Sequence, residues 1–220
     1  MARLLPLAAL GAALLLPAAA APGESAAACH CYRDRTFDPE RPGAADPYIL
    51  ATTRSSLLSA AYRVDKRTLV STAMTGTAAE DLWVAYYAGS RTGLGAPHLL
   101  SLREERKGWP AALAGQKELD GPFAAALARG ADGRALASLA VDEVLATRMG
   151  VAPAALRTLH DAGASPEERI LASALAARLS VPTAPLVAQV RAGKATWGQV
   201  LRDCGLTPRE LDGLVRGLVR

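Results

Sequence analysis

Residues 181–201, VPTAPLVAQVRAGKATWGQVL, repeat the spacing of residues 151–171, VAPAALRTLHDAGASPEERIL, without a gap. Val151 falls on Val181, Leu156 on Leu186, Ala162-Gly163 on Ala192-Gly193 and Ile170-Leu171 on Val200-Leu201. Setting Val64 on Val151 extends the pattern upstream. Leu69 then falls on Leu156, Gly76 on Gly163, Glu80-Asp81 on Glu167-Glu168 and Trp83-Val84 on Ile170-Leu171. A looser copy begins at Leu94, with Leu99 and Leu113 in place and Gly108 two positions late. The opening of another copy, Leu206, Leu211 and Leu214, closes the sequence, and the interval between Val64 and Val151 leaves room for a degraded unit at residues 121–142.

Each unit of about 30 residues reads as a helical hairpin. Val151, Leu156 and Leu159 have helical spacing. The glycine that follows suits a left-handed helix end, which it adopts without a Cβ clash. Second-helix starts are read at Thr77-Ala78-Ala79-Glu80 as a capping box, at Ser165-Pro166-Glu167-Glu168, and at Thr196. Alanine-rich composition favours helix, and no segment alternates with period 2. The expected fold class is therefore all-α, with helical hairpin repeats of about 29–30 residues stacked as a bundle or short solenoid, because one short hairpin cannot bury its apolar face alone.

The N-terminus has the order of an export signal. Arg3 precedes the apolar run from Leu4 to Leu16, and Pro17 leads into four alanines. Cleavage is expected after Ala20 or Ala21, with lipidation at Cys29 as the rival. The run is too short and proline-broken to span a membrane. The expected organisation is a signal peptide at 1–21, an extended cysteine-bearing arm at 22–46, N-terminal helical hairpins at 47–143 and C-terminal hairpin repeats at 144–220. Asp46-Pro47 is read as capping a first helix that runs through Tyr62. Periplasmic or secreted localisation follows, with no stable membrane span after cleavage.

The 25 basic and 21 acidic side chains are scattered, for a net charge of +4. Such a balance supports no nucleic-acid groove. The arm holds the one concentration of chemistry, Cys29-His30-Cys31. Thiolate and imidazole suit zinc or copper, so these three are the candidate metal ligands. Adjacent residues chelate one tetrahedral ion poorly, however. In an oxidising compartment the simpler expectation is a disulfide from Cys29 or Cys31 to Cys204, which is placed on the inward face of a late helix. A Cys29–Cys31 bridge and unpaired thiols are the remaining alternatives.

His98 and His160 read as surface histidines. Glu80-Asp81 and Glu167-Glu168 sit in first turns, as dipole and cap residues rather than paired catalytic carboxylates. Trp83 to Tyr87 read as packing between hairpins. Trp109 and Trp197, each after a turn, read as core or hinge packing, with partial exposure and ligand contact as the alternative.

Residues 175–186, LAARLSVPTAPL, look like the opening of a bacterial helix-turn-helix DNA-binding unit, and Gly205 to Leu211 is similar. A recognition helix needs basic and polar residues facing the groove, and residues 182–188 are nearly bare of them. The likeness is read as shared hairpin geometry. As a whole, Cys29-His30-Cys31-Tyr32-Arg33-Asp34-Arg35 and Asp46-Pro47-Tyr48-Ile49-Leu50-Ala51-Thr52-Thr53 resemble exported Gram-negative bacterial proteins with a Cys-His-Cys arm, a resemblance that implies no activity. The functional expectation is a non-enzymatic exported binding or structural protein without a cofactor, whose partner is an envelope protein or a small ligand, not nucleic acid. The alternatives are a periplasmic thiol- or metal-using protein centred on Cys29-His30-Cys31 and, third, a helix-turn-helix DNA-binding protein.

Overall fold

A computed structural model describes residues 38–220. The signal segment and Cys29-His30-Cys31 lie outside the described residues. Every element found is a helix. The long ones are α1 (Asp46–Tyr62), α3 (Ala79–Thr92), α7 (Gly133–Arg148) and α9 (Pro166–Leu179). Between and after them come α2 (Lys66–Met74), α4 (Ala96–Glu105), α5 (Trp109–Ala112), α6 (Gly121–Ala128), α8 (Pro153–Asp161), α10 (Thr183–Arg191), α11 (Trp197–Asp203) and α12 (Leu211–Leu218).

The four long helices touch in a ring, α1 on α3, α3 on α7, α7 on α9 and α9 on α1. The shorter helices pack outside this ring. The last helix returns to α1 and α9, so the described chain closes into an all-α bundle instead of an open solenoid. One core cluster gathers around Trp83, Phe123 and Leu136, and a second around Ile49, Leu175 and Trp197. Helices α1 and α9 feed both clusters: Leu57 and Ile170 go to the first, Ile49 and Leu171 to the second. The domain division expected at 143/144 falls inside α7.

Helix α1 is buried on nearly every side although it is rich in hydroxyls. Thr52, Thr53, Ser55, Ser56 and Ser59 are all buried. They fit because the hydroxyls of Thr53, Ser55, Ser56 and Ser59 all bond within the protein. Thr53 Oγ1 donates to the Ile49 carbonyl (2.8 Å), Ser55 to Ala51 (3.0 Å) and Ser56 to Thr52 (2.8 Å). Small side chains with satisfied hydroxyls let α2, α3, α9, α11 and α12 all approach one helix.

The expected cap on this helix needs correction. Its N-cap is Ala45, which makes no side-chain cap. The Asp46 carboxylate caps another helix instead, accepting from the backbone N–H groups of Trp197 (3.0 Å) and Gly198 (2.8 Å) at the start of α11. Burial pushes its pKa up, and those two N–H groups pull it back. The arm is corrected too. Residues 39–45 form turns, not an extended strand, and Thr196 Oγ1 donates to the Pro42 carbonyl (2.8 Å).

Helix, left-handed glycine and second helix succeed one another at α2–α3, α8–α9 and α10–α11, the second helix being the longer in the first two. Gly163, at φ +70°, closes α8 as the sequence predicts. Its N–H donates to His160, and the Ala164 N–H to Leu159. A Cβ there would meet nothing within 4 Å, so the cost of substitution is conformational. Gly163→Val should lower the unfolding free energy by about 1–2 kcal/mol or more, read from the denaturant midpoint. A neutral result would break the hairpin register.

The late Gly108 has a local reason: Lys107 takes the left-handed position after α4, at φ +61°. The Ser165–Glu168 and Thr196–Gln199 capping boxes form. The box expected at Thr77 does not, because Ala78 is the N-cap of α3 and the Thr77 N–H is committed to Thr72, closing α2. Residues 121–148 also fold as a hairpin, α6 and α7, joined through Gly130 with Asp132 as N-cap.

Candidate functional site

Two trios, each built on a buried acid and a buried tryptophan, lock the second helices to the hairpins that follow them. Asp81, in the first turn of α3, accepts from the indole Nε1 of Trp109 (2.7 Å) and pairs with Arg103 (3.1 Å). Glu168, in the first turn of α9, accepts from Nε1 of Trp197 (3.4 Å) and pairs with Arg191 (2.7 Å). Trp109 and Trp197 are core residues, as the packing reading expects, each only 2% exposed. Asp81 and Glu168 do more than balance helix dipoles, since each satisfies a buried indole N–H that would otherwise lose its hydrogen bond. The start of α7 closes over the first trio. A Cβ on Gly133 would come within 3.2 Å of Asp81 Oδ1 and 3.3 Å of Trp109 Cδ1.

His160 is exposed and meets Asp142 (2.6 Å), and His98 is exposed. The other Asp142 oxygen accepts from the buried Arg169 (2.8 Å). Asp142 is therefore an anchor that holds Arg169 with one oxygen and meets His160 with the other. Residues 175–186 join the end of α9 to the start of α10. The one basic residue of α10, Arg191, points back to Glu168 and the Gly163 carbonyl.

Cys204 faces inward as expected, but as the C-cap of α11 rather than a residue within the helix. It is half-buried against the second core cluster. It carries no disulfide among the described residues, and burial, then the nearby Asp203, push its thiol pKa up. No group of three or more potential metal ligands occurs among the described residues, and none of their helices is long and apolar enough to cross a membrane.

The most site-like feature is a cleft that the sequence reading missed. It encloses about 500 Å³ at one end of the bundle. Tyr62 ends α1, and Arg63 follows in the left-handed conformation at φ +56°. Tyr86 and Ser90 come from α3, Arg148 ends α7, and Val219-Arg220 follow α12. Val64 and Leu94 add apolar wall.

The rings of Tyr62 and Tyr86 stack with centroids 6.3 Å apart, and Trp83 meets Tyr62 edge-on at 6.2 Å. Those contacts hold the wall rigid. The phenol hydroxyls of Tyr62 and Tyr86 have no hydrogen-bond partner among the described residues, whereas that of Tyr87 next door donates to Glu143 (2.5 Å). A smaller adjoining recess of about 340 Å³ shares Ala61, Tyr62, Ser90 and Arg148. There Arg91 pairs with Glu143 and Asp120 and lies 5.3 Å over the Tyr87 ring.

Burial pushes the pKa of Tyr62, Tyr86 and Tyr87 above the ordinary phenol value of 10.0, with Arg91 pulling Tyr87 part of the way back. The folded state thus favours the neutral phenols. Their stabilising contribution is whole below the unfolded pKa and is lost as pH rises from there through the higher folded values. Stability should fall above about pH 10, and phenolate absorbance should appear later in native than in denatured protein. Coincident titration of the two would contradict the burial.

Comparison with protein-family models, curated proteins and solved structures returned no significant match, so the reading of this cleft rests on its own geometry.

Proposed function

We propose that the protein is an exported, non-enzymatic binding module that seats a small ligand in the Tyr62–Tyr86 cleft. The observation that carries this reading is a cleft of about 500 Å³, a size typical of small-molecule sites, on whose wall the Tyr62 and Tyr86 phenols have no hydrogen-bond partner among the described residues. The cleft offers donors and apolar surface, but no paired nucleophile and base. Its one serine, Ser90, donates to the Tyr87 carbonyl (2.7 Å). Export rests on the Arg3, apolar-run and alanine order of the N-terminus.

Two measurements test this. Mass analysis of protein from the envelope fraction should find a mature start after Ala20 or Ala21; retention of the full N-terminus in the cytoplasm would refute export. Small molecules captured from envelope extract on the mature protein should be lost on Tyr86→Ala. Equal capture by the variant would refute the cleft as the seat.

The arm-to-Cys204 disulfide belongs to the same proposal, and one contact favours it. The arm comes down beside the N-terminus of α11, at Pro42 and Thr196, and Cys204 caps the other end of that seven-residue helix. The helix is roughly 10 Å long. The seven residue-to-residue steps from Cys31 to Asp38 can reach about 23 Å. Peptide mapping without reductant should find Cys204 joined to Cys29 or Cys31, and Cys204→Ser should lower Tm. Three reactive thiols, or bound metal released by thiol reagents, would instead favour the thiol- or metal-using alternative.

A further inference from the structure

We infer that the cleft selects small organic anions with a flat apolar body, aromatic or unsaturated carboxylates, an inference that rests on the reading of the cleft as the ligand seat. Charge gives the first reason. Arg63 and Arg148 stand at the C-terminal ends of α1 and α7, and no acidic side chain lines the cleft. A helix C-terminus carries roughly half a negative charge; with Arg220 following α12 at the same cleft, three arginines face three such half-charges. The surplus favours an anion. Glu143, the nearest acid in the adjoining recess, is already held by Arg91 and Tyr87.

Donor geometry gives the second. The guanidinium of Arg148 is exposed, and its one contact is a long one, from Nη1 to the Arg220 main-chain oxygen (3.4 Å). Its remaining N–H groups are available as a fork, the arrangement that takes a carboxylate with two parallel hydrogen bonds. The two phenols add O–H donors rather than further charge, because burial keeps them protonated.

The walls decide what the rest of the ligand is. The near-parallel Tyr62 and Tyr86 rings, 21° apart, with Val64 and Leu94 beside them, offer flat apolar surface next to the charge. A flat ring system stacks well on such a face. Inorganic phosphate or acetate would use the arginine and leave that wall unpaid. A neutral aromatic would use the wall and leave the guanidinium without its partner.

The probes are 2-naphthoate, 2-naphthylmethanol, acetate and inorganic phosphate, titrated calorimetrically into the mature protein. Naphthoate should bind about tenfold or more tightly than the alcohol, and tighter than acetate or phosphate. Arg148→Gln, at an exposed position, should remove about tenfold of the naphthoate affinity and leave that of the alcohol unchanged. Thermal denaturation confirms that the variant is folded. Equal affinity for naphthoate and the alcohol, or indifference of naphthoate to Arg148→Gln, overturns the anion class while leaving the cleft as the seat. Binding of both that survives Tyr86→Ala overturns the seat itself. No binding by any of the four overturns the ligand class.

Discussion

Trp83→Ala should lower the unfolding free energy by about 3–5 kcal/mol, the usual cost of removing a buried large aromatic. Trp83 lies in the middle of α3, 2% exposed, edge-on to Tyr62 and within the larger core cluster. Its loss opens a cavity between α3 and the rest of the ring, and it frees the Tyr62 wall of the cleft. The indole Nε1 is itself buried without a hydrogen-bond partner among the described residues. An unmet donor of that kind costs about 1–3 kcal/mol. Trp83→Phe removes both the donor and part of the packing, so it should cost clearly less than alanine. Denaturant unfolding of the three proteins checks this ordering. Equal losses for phenylalanine and alanine, or an alanine loss under about 1 kcal/mol, would show that Trp83 is not the keystone described.

Arg169→Met should cost about 3–5 kcal/mol by a different route. Arg169 is 2% exposed on α9. Its Nε donates to Asp142 (2.8 Å), Nη1 to the Ala164 carbonyl (2.8 Å) and Nη2 to Ser138 Oγ (2.7 Å). One guanidinium thus joins α9 to α7 and to the turn before α9. Methionine fills much of the space but leaves the Asp142 carboxylate and the Ala164 carbonyl without it. Removing one partner of a buried pair is the damaging change, whereas replacing both with apolar residues is often neutral. The double variant Arg169→Met with Asp142→Leu should therefore recover a substantial part of the loss. Arg169→Lys should recover little, because a point charge cannot reproduce the three-way fork. A double variant as unstable as Arg169→Met would put the damage in packing and not in the stranded carboxylate.

The helices and most of their ends could be read from local chemistry. The span of α1 from Asp46 to Tyr62, the boxes at Ser165 and Thr196 and the left-handed Gly76, Gly163 and Gly193 all depend on residues close in sequence. Where two local motifs compete for one residue, that reading failed. Thr77 has the right residue type for a cap, but its N–H was already committed to ending α2. The hairpin at α6 and α7 was legible only as room for a degraded unit, because α6 has eight residues with only Phe123 and Ala126 buried.

The candidate cleft was beyond any local pattern. Tyr62, Tyr86, Arg148 and Arg220 come from the ends or flanks of different helices, and none has a distinctive neighbour in sequence. The burial of Trp109 and Trp197 was legible, but not what meets their N–H groups: the acceptors Asp81 and Glu168 lie a full hairpin upstream.

By itself the sequence determined the all-helical class, because alanine content, caps and apolar spacing act over a few residues and set where helices begin and end. The tertiary structure alone decided that the chain closes, that the hydroxyl-rich α1 is central, and that four helix ends meet as a cleft. Those outcomes depend on which faces pack against which. Helical spacing shows that a face must be buried, but its partner is settled only by the fit of side chains and the pairing of buried polar groups across the assembled bundle.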